Sequence, residues 1–157
     1  MGAGLEYFLY HSVAIQKCDD RKQNFTIKEI SLFNNSRTYF SKTDYLWSLV
    51  TFGKFKKIVV VNDENTVVHT SCVIGKCFKF PFLPKKAAEI GPCYTHVDFR
   101  GRGIYPMVLN YVLSSGYYQE YYMLVAQNNT ASIRGIEKAG FKRIGMVVKR
   151  RMRWVKC

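Results

Sequence analysis

The sequence predicts one mixed α+β domain, a mostly antiparallel sheet with one parallel strand pair and helices on its faces. Three observations carry this. Strand-like runs rich in β-branched residues alternate with amphipathic helical stretches. The second half reads strand, helix, strand, helix, strand, and a strand–helix–strand unit returns its second strand parallel to the first. No repeat, low-complexity tract or linker rich in Pro, Gly and Ser divides the 157 residues, so 1–157 is expected to be a single domain.

Taken in order, residues 6–15 are apolar and aromatic and predict a strand. Ser41-Lys-Thr-Asp44 has the pattern of a capping box, and behind it Tyr45, Leu46, Leu49, Val50 and Phe52 predict the inner face of a helix stopped at Gly53. Residues 57–62 and 66–74 predict a hairpin around Asp63-Glu-Asn65. The aromatic run 78–83 predicts a shorter strand ended by Pro84. Residues 88–96 predict another strand, in which Gly91-Pro92 marks a bulge or splayed position, because proline has no amide to give a ladder. Residues 104–115 predict a helix with Val108, Leu109, Val112 and Leu113 inward and Pro106 in its first turn. A strand at 121–126, a helix at 129–139 closed by Gly140 and a strand at 147–155 complete the chain.

Composition narrows the function. Hydrophobic content of 48% against 22% charged residues excludes a disordered chain. The formal charge of +13 favours polyanionic partners: nucleic acid, an anionic membrane or a phosphorylated small molecule. Five irregularly spaced cysteines form no CxxC pair, which suggests neither a zinc cluster nor a disulfide framework. The uncharged run 103–119 is interrupted by Pro106, Asn110, Ser114 and Ser115 and makes a poor membrane span. The expected compartment is a reducing cytoplasm, and sequons at Asn24, Asn34 and Asn128 then carry no meaning.

The segment from Tyr94 to Tyr105 concentrates the chemistry. A strand enters a turn, Arg100-Gly-Arg-Gly103, and a helix leaves it. Amides at a helix N-terminus converge on one point, where the helix dipole adds about half a positive charge. Gly101 and Gly103 permit close backbone approach, and Arg100 and Arg102 offer cationic partners for phosphate oxygens. Such a turn makes a diphosphate cradle.

This stretch resembles the acetyl-CoA motif of the GNAT acetyltransferases: Gln or Arg, two residues, Gly, one residue, then Gly or Ala. Arg100 and Gly103 match, while Tyr105 stands where Gly or Ala is usual. Downstream, Asn129 to Phe141 (NTASIRGIEKAGF) resembles the family's later motif, with Ser132 at its Ala/Ser place and Ile136 where many members carry a tyrosine acid.

The resemblance implies a GNAT fold with a splayed parallel pair. It also implies acetyl-CoA as acyl donor without a metal, and direct acetyl transfer to a primary amine. It places cofactor contacts at Cys93, Thr95, Arg100, Gly101, Arg102, Gly103, Ile104, Tyr105 and Asn129. Catalytic candidates are Glu89 as base, the Cys93 amide as oxyanion donor and the Ser132 hydroxyl as acid. Glu89 shares a face with Cys93 on an ideal strand, a parity that a bulge at Pro92 breaks. Cys93 as a nucleophile, and His96 or His69 as base, are weaker alternatives.

The expected acceptor is a small-molecule amine. An anionic one such as a nucleotide-linked amino sugar is included, in a pocket built around Tyr45, Trp47, Phe78, Phe80 and Phe82. Neither nucleic acid nor a membrane is expected as a partner, and a dimer stays open. Two other readings also stay open: a basic nucleic-acid binder, using the tail Lys149 to Trp154, and a CoA-binding domain without catalysis.

Overall fold

The computed structural model describes residues 6–15, 25–31, 39–150 and 153–156. Cys18, Cys157, Asn24, Asn34, Arg151 and Met152 lie outside them, as do the features expected there. The elements in chain order are β1 (Glu6–Val13), β2 (Phe25–Ile30), α1 (Lys42–Val50), β3 (Phe55–Asn62), β4 (Val67–Gly75), β5 (Ala87–Thr95), α2 (Ile104–Ser114), β6 (Glu120–Ala126), α3 (Thr130–Lys138), β7 (Lys142–Arg150) and β8 (Arg153–Lys156). The strands form one sheet of order β2-β3-β4-β5-β6-β1-β7-β8, antiparallel except for the β5–β6 pair.

Two apolar layers hold the sheet. Helices α2 and α3 cover one face, where Val108, Leu109, Val112 and Ile136 meet Ile58, Val60, Val73, Ala88, Tyr121 and Met123. The other face buries Leu9, Phe55, Ile74, Ala87, Val147 and Trp154 beneath Phe80 and Leu83. Val59 and Val61 pack with Ile30 on that second side while Val60 faces the helices, so β3 is apolar on both faces and reads as an unbroken run. Asn65 closes the β3–β4 turn at φ 61°, and the Thr66 amide donates to Asn62 Oδ1 at 2.8 Å.

Helix α1 begins with the expected capping box. The Asp44 amide donates to Ser41 Oγ and the Ser41 amide to Asp44 Oδ2. Its orientation differs from the expectation. Asp44, Ser48 and Thr51 face the protein, whereas Leu46, Leu49 and Phe52 are exposed. The cause is a half-buried ion pair, Lys57 Nζ to Asp44 Oδ2 at 2.7 Å, which ties the polar edge of the helix to β3. Trp47 stacks on Phe78 from the same side.

Three other elements differ. Residues 78–83 form consecutive turns, because Phe80 and Leu83 are buried at a spacing of three while Phe78 stays exposed. The last strand is a hairpin, with Arg150 paired to Arg153. Strand β2 adds an edge that the sequence pattern did not signal. Among the described residues no helix is long and apolar enough to cross a membrane.

Burial alone would raise the Asp44 pKa, but bonds from Lys57 and Ser41 outweigh it and hold the carboxyl below its ordinary value. A depressed carboxyl stabilises the fold above its unfolded pKa, and that stabilisation is lost as pH falls through the folded value. Asp44→Asn should therefore cost about 1–2 kcal/mol at pH 7 in urea unfolding. The gap to the wild type should narrow below about pH 4.

Candidate functional site

The parallel pair is short. Ala87, Ala88 and Glu89 register with Glu120, Tyr121 and Tyr122, after which β5 and β6 part. The parting coincides with a bulge: Ser71 faces Cys93 and Val73 faces Ile90, so β5 carries one extra residue at Gly91-Pro92. The bulge breaks strand parity. Ala88, Ile90 and Cys93 side with the α2/α3 core, while Ala87 lies in the opposite one, so Glu89 and Cys93 do not share a sheet face. They still border one cleft, because the gap between β5 and β6 opens through the sheet.

On the α2/α3 side lies a cleft of about 430 Å³ between the arginine–glycine turn and the start of α3. Cys93, Thr95, Arg100, Gly101, Ile104, Tyr105, Asn129 and Ser132 all border it. The sequence spread these positions over forty residues, and the fold brings them together. Gly103 serves as N-cap of α2 at φ 75° with no side chain capping the helix, and Gly101 has φ 77°. A Cβ at either glycine would meet nothing within 4 Å, so the backbone there fronts open space. Arg102 is exposed and sits over the Phe99 ring rather than bordering the cleft. Arg100 Nε donates to the Thr95 carbonyl at 3.1 Å. At the facing helix, Asn129 Oδ1 accepts from the Ser132 amide at 3.1 Å and caps α3.

A second cleft of about 390 Å³ contains Glu89, together with Tyr7, Lys79, Phe80, Leu124 and Trp154. It shares Cys93, Tyr105, Asn129 and Ser132 with the first. Glu89 is buried, and its Oε2 has no hydrogen-bond partner within the protein. Burial pushes its pKa up to about 8, with Lys79 pulling weakly the other way. Gly91 makes room for it, since a Cβ there would stand 2.5 Å from Glu89 Oε1. Of the aromatic residues expected around the acceptor, Phe80 borders this cleft, while Tyr45, Trp47, Phe78 and Phe82 do not. Tyr7 and Trp154, packed edge to face at 4.6 Å, line it instead. Only the alternation of the C-terminal segment hinted at Trp154, and nothing hinted at Tyr7.

The remaining candidates resolve by environment. Burial pushes the Cys93 thiol up to about 12, which keeps it protonated and unsuited to attack. His69 is buried, with Nδ1 and Nε2 each 2.7 Å from the hydroxyls of Thr95 and Ser71, and burial lowers its pKa to about 4. It is a neutral bridge between strands and a poor base. His96 is exposed and lies 3.4 Å from Asp98 at the start of a short 3-10 turn. Among the described residues no group of three His, Cys, Asp or Glu side chains could hold a metal.

The fold as a whole has counterparts among solved structures. A GCN5-related N-acetyltransferase from Sphaerobacter thermophilus superposes with TM-score 0.64 at 18% identity, over 92% of this chain and 50% of that one. This chain has the GNAT fold. Spermidine N-acetyltransferase from Vibrio cholerae, solved with CoA and spermine, matches with TM-score 0.55 at 16% identity, over 85% of this chain and 92% of that one. A conserved protein of unknown function from Staphylococcus epidermidis matches with TM-score 0.61 at 14% identity, over 90% and 58%. The chain thus spans roughly half the length of several neighbours. No family model matches the sequence, and no curated protein matches it significantly.

If the turn holds a diphosphate, Arg100→Ala removes a cation and Gly103→Val forces a β-branched residue into a left-handed conformation beside the ligand. Each should raise the KM for acetyl-CoA by about tenfold or more, the equivalent of 1.4 kcal/mol. Unchanged CoA affinity in both variants, measured by calorimetry, would remove the turn from the site.

Proposed function

We propose that the protein is an acetyl-CoA-dependent N-acetyltransferase that acetylates a primary amine of a small molecule by direct transfer. The observation that carries this is the buried, unpaired Glu89 carboxyl in a cleft joined through Cys93, Tyr105, Asn129 and Ser132 to a phosphate-type turn. Free amides at the start of α2 and the Arg100 guanidinium suit the diphosphate of the donor. Beyond Glu89, β5 has no partner on its β6 side, so backbone groups of the splayed stretch are available to a pantetheine arm. The Cys93 amide lies in this stretch and is assigned as the oxyanion donor.

Glu89 is assigned as the base. With a pKa near 8 its carboxylate takes a proton from the nitrogen of the attacking amine more readily than an exposed glutamate does. Ser132, in the first turn of α3, is assigned to bond the thioester arm where the two clefts meet.

The acceptor enters from the Glu89 side, between Tyr7, Phe80 and Trp154. A neighbour in the structural comparison holds spermine, a polycation. Here Lys79 borders the cleft and the chain carries +13, which opposes a second polycation. An anionic amine, such as a nucleotide-linked amino sugar, suits this cleft better. Free thiols at Cys72, Cys77 and Cys93 suit a reducing compartment, and we place the protein in the cytoplasm.

Thiol release from acetyl-CoA across a panel of neutral, anionic and polycationic amines tests the assignment. Release with an anionic amine is expected; none with any amine would overturn the activity. Glu89→Gln should lower kcat by about 10²–10⁴-fold. In the wild type kcat/KM should rise with pH and level off above about 8, as Glu89 loses its proton. That rise should be absent in the variant.

A further inference from the structure

Tyr105 departs from the usual small residue at the start of α2, and its surroundings show what the ring does there. It borders both clefts. One edge lies on α3, where a Cβ at Gly135 would stand 2.5 Å from Tyr105 Cδ1. His69 lies on another side, with ring centroids 5.9 Å apart. The phenol hydroxyl faces the Cys93 thiol on the splayed part of β5. The ring therefore bridges α3 and β5 at the junction that any thioester must cross between the phosphate turn and Glu89.

We infer that Tyr105 is a catalytic residue, its hydroxyl giving a proton to the sulfur of the departing thiolate. This rests on the N-acetyltransferase assignment. The step balances as follows. The amine nitrogen bonds to the acyl carbon and loses a proton to Glu89. The carbon–sulfur bond breaks with its electron pair on sulfur, and sulfur takes the Tyr105 proton. Protonated Glu89 and the tyrosinate then exchange with water once the products have left.

Two hydroxyls stand at the junction, and chemistry separates them. An ordinary phenol has a pKa near 10 and a thiol about 8.5, whereas an aliphatic alcohol such as Ser132 is a far weaker acid. Burial raises the Tyr105 pKa, but it also pushes the neighbouring Cys93 thiol up to about 12. A thiolate formed in the same place loses its water too, so burial raises both groups together and the phenol remains a far better donor than the serine alcohol. Gly135 makes this placement possible. Any side chain there would evict the ring, so Tyr105 and Gly135 act as a pair.

The test compares the full chain with Tyr105→Phe, which keeps the ring and removes the hydroxyl. With acetyl-CoA, kcat should fall by about 100-fold, while the calorimetric Kd for CoA and the melting temperature stay close to wild type. With an S-acetyl aryl thiol, whose anion leaves without a proton, the two proteins should react at similar rates. Equal losses with both thioesters, or an undiminished kcat with acetyl-CoA, would overturn the assignment while leaving the acetyltransferase intact. A wild type that neither binds CoA nor releases thiol would overturn both. Gly135→Ala adds an independent check: displacing the ring should reproduce the acetyl-CoA defect with the hydroxyl still present.

Discussion

The separation of β5 from β6 is the constraint on which the rest of the molecule depends. Three residues of each strand pair, and then an extra residue at Gly91-Pro92 turns β5 away. A sheet interrupted in its middle exposes backbone groups that would be orphaned in a dry core. It also admits a ligand through the sheet plane. Both clefts, the burial of Glu89 and the position of Cys93 follow from that one departure. Gly91 contributes twice, by preceding the proline and by leaving the volume that the Glu89 carboxyl occupies.

An opening in a sheet must be braced, and the braces here are polar. His69 ties β4 to β5 through Thr95 and meets Ser71 on its other nitrogen, both at 2.7 Å. Held neutral by burial, it carries no charge into the core, which removes the desolvation penalty a histidinium would bring. Tyr105 braces the second side by wedging between α3 and β5. The Asp44–Lys57 pair does comparable work at the sheet's far side. There it sets the rotation of α1 against the pull of that helix's own apolar residues.

The fold was largely legible because its signals are local. The capping box at Ser41, Pro106 inside α2, Gly140 after α3 and the β-branched runs each act within a few residues. Where the sequence misled, a tertiary contact overrode the local pattern. Leu46 and Leu49 have helical spacing, yet a single ion pair turned them outward. The 78–83 run is aromatic enough for a strand, yet its buried residues are three apart. The arginine–glycine turn between β5 and α2 was legible as a motif. The second cleft was not, since Tyr7, Lys79, Glu89 and Trp154 come from four separate segments and meet only because the order β5-β6-β1-β7-β8 gathers them. Tyr105 looked like a defect in the motif until Gly135, thirty residues on, supplied its counterpart.

Charge ties the two clefts together. A surface carrying +13 draws polyanions of any kind, so selectivity must come from donors already held in place. At the turn, Arg100 gives its Nε hydrogen to the Thr95 carbonyl, which fixes the guanidinium and leaves its four terminal hydrogens for a ligand. Thr95 is in turn fixed through its hydroxyl by His69 on the neighbouring strand, and His69 by Ser71 two residues along its own strand. The guanidinium at the turn is thus anchored to the core that borders the second cleft. A substitution at His69 would reach both, through the Thr95 backbone to Arg100 and through the Tyr105 ring to the junction. A histidine with no titratable role can in this way govern the geometry of the whole site.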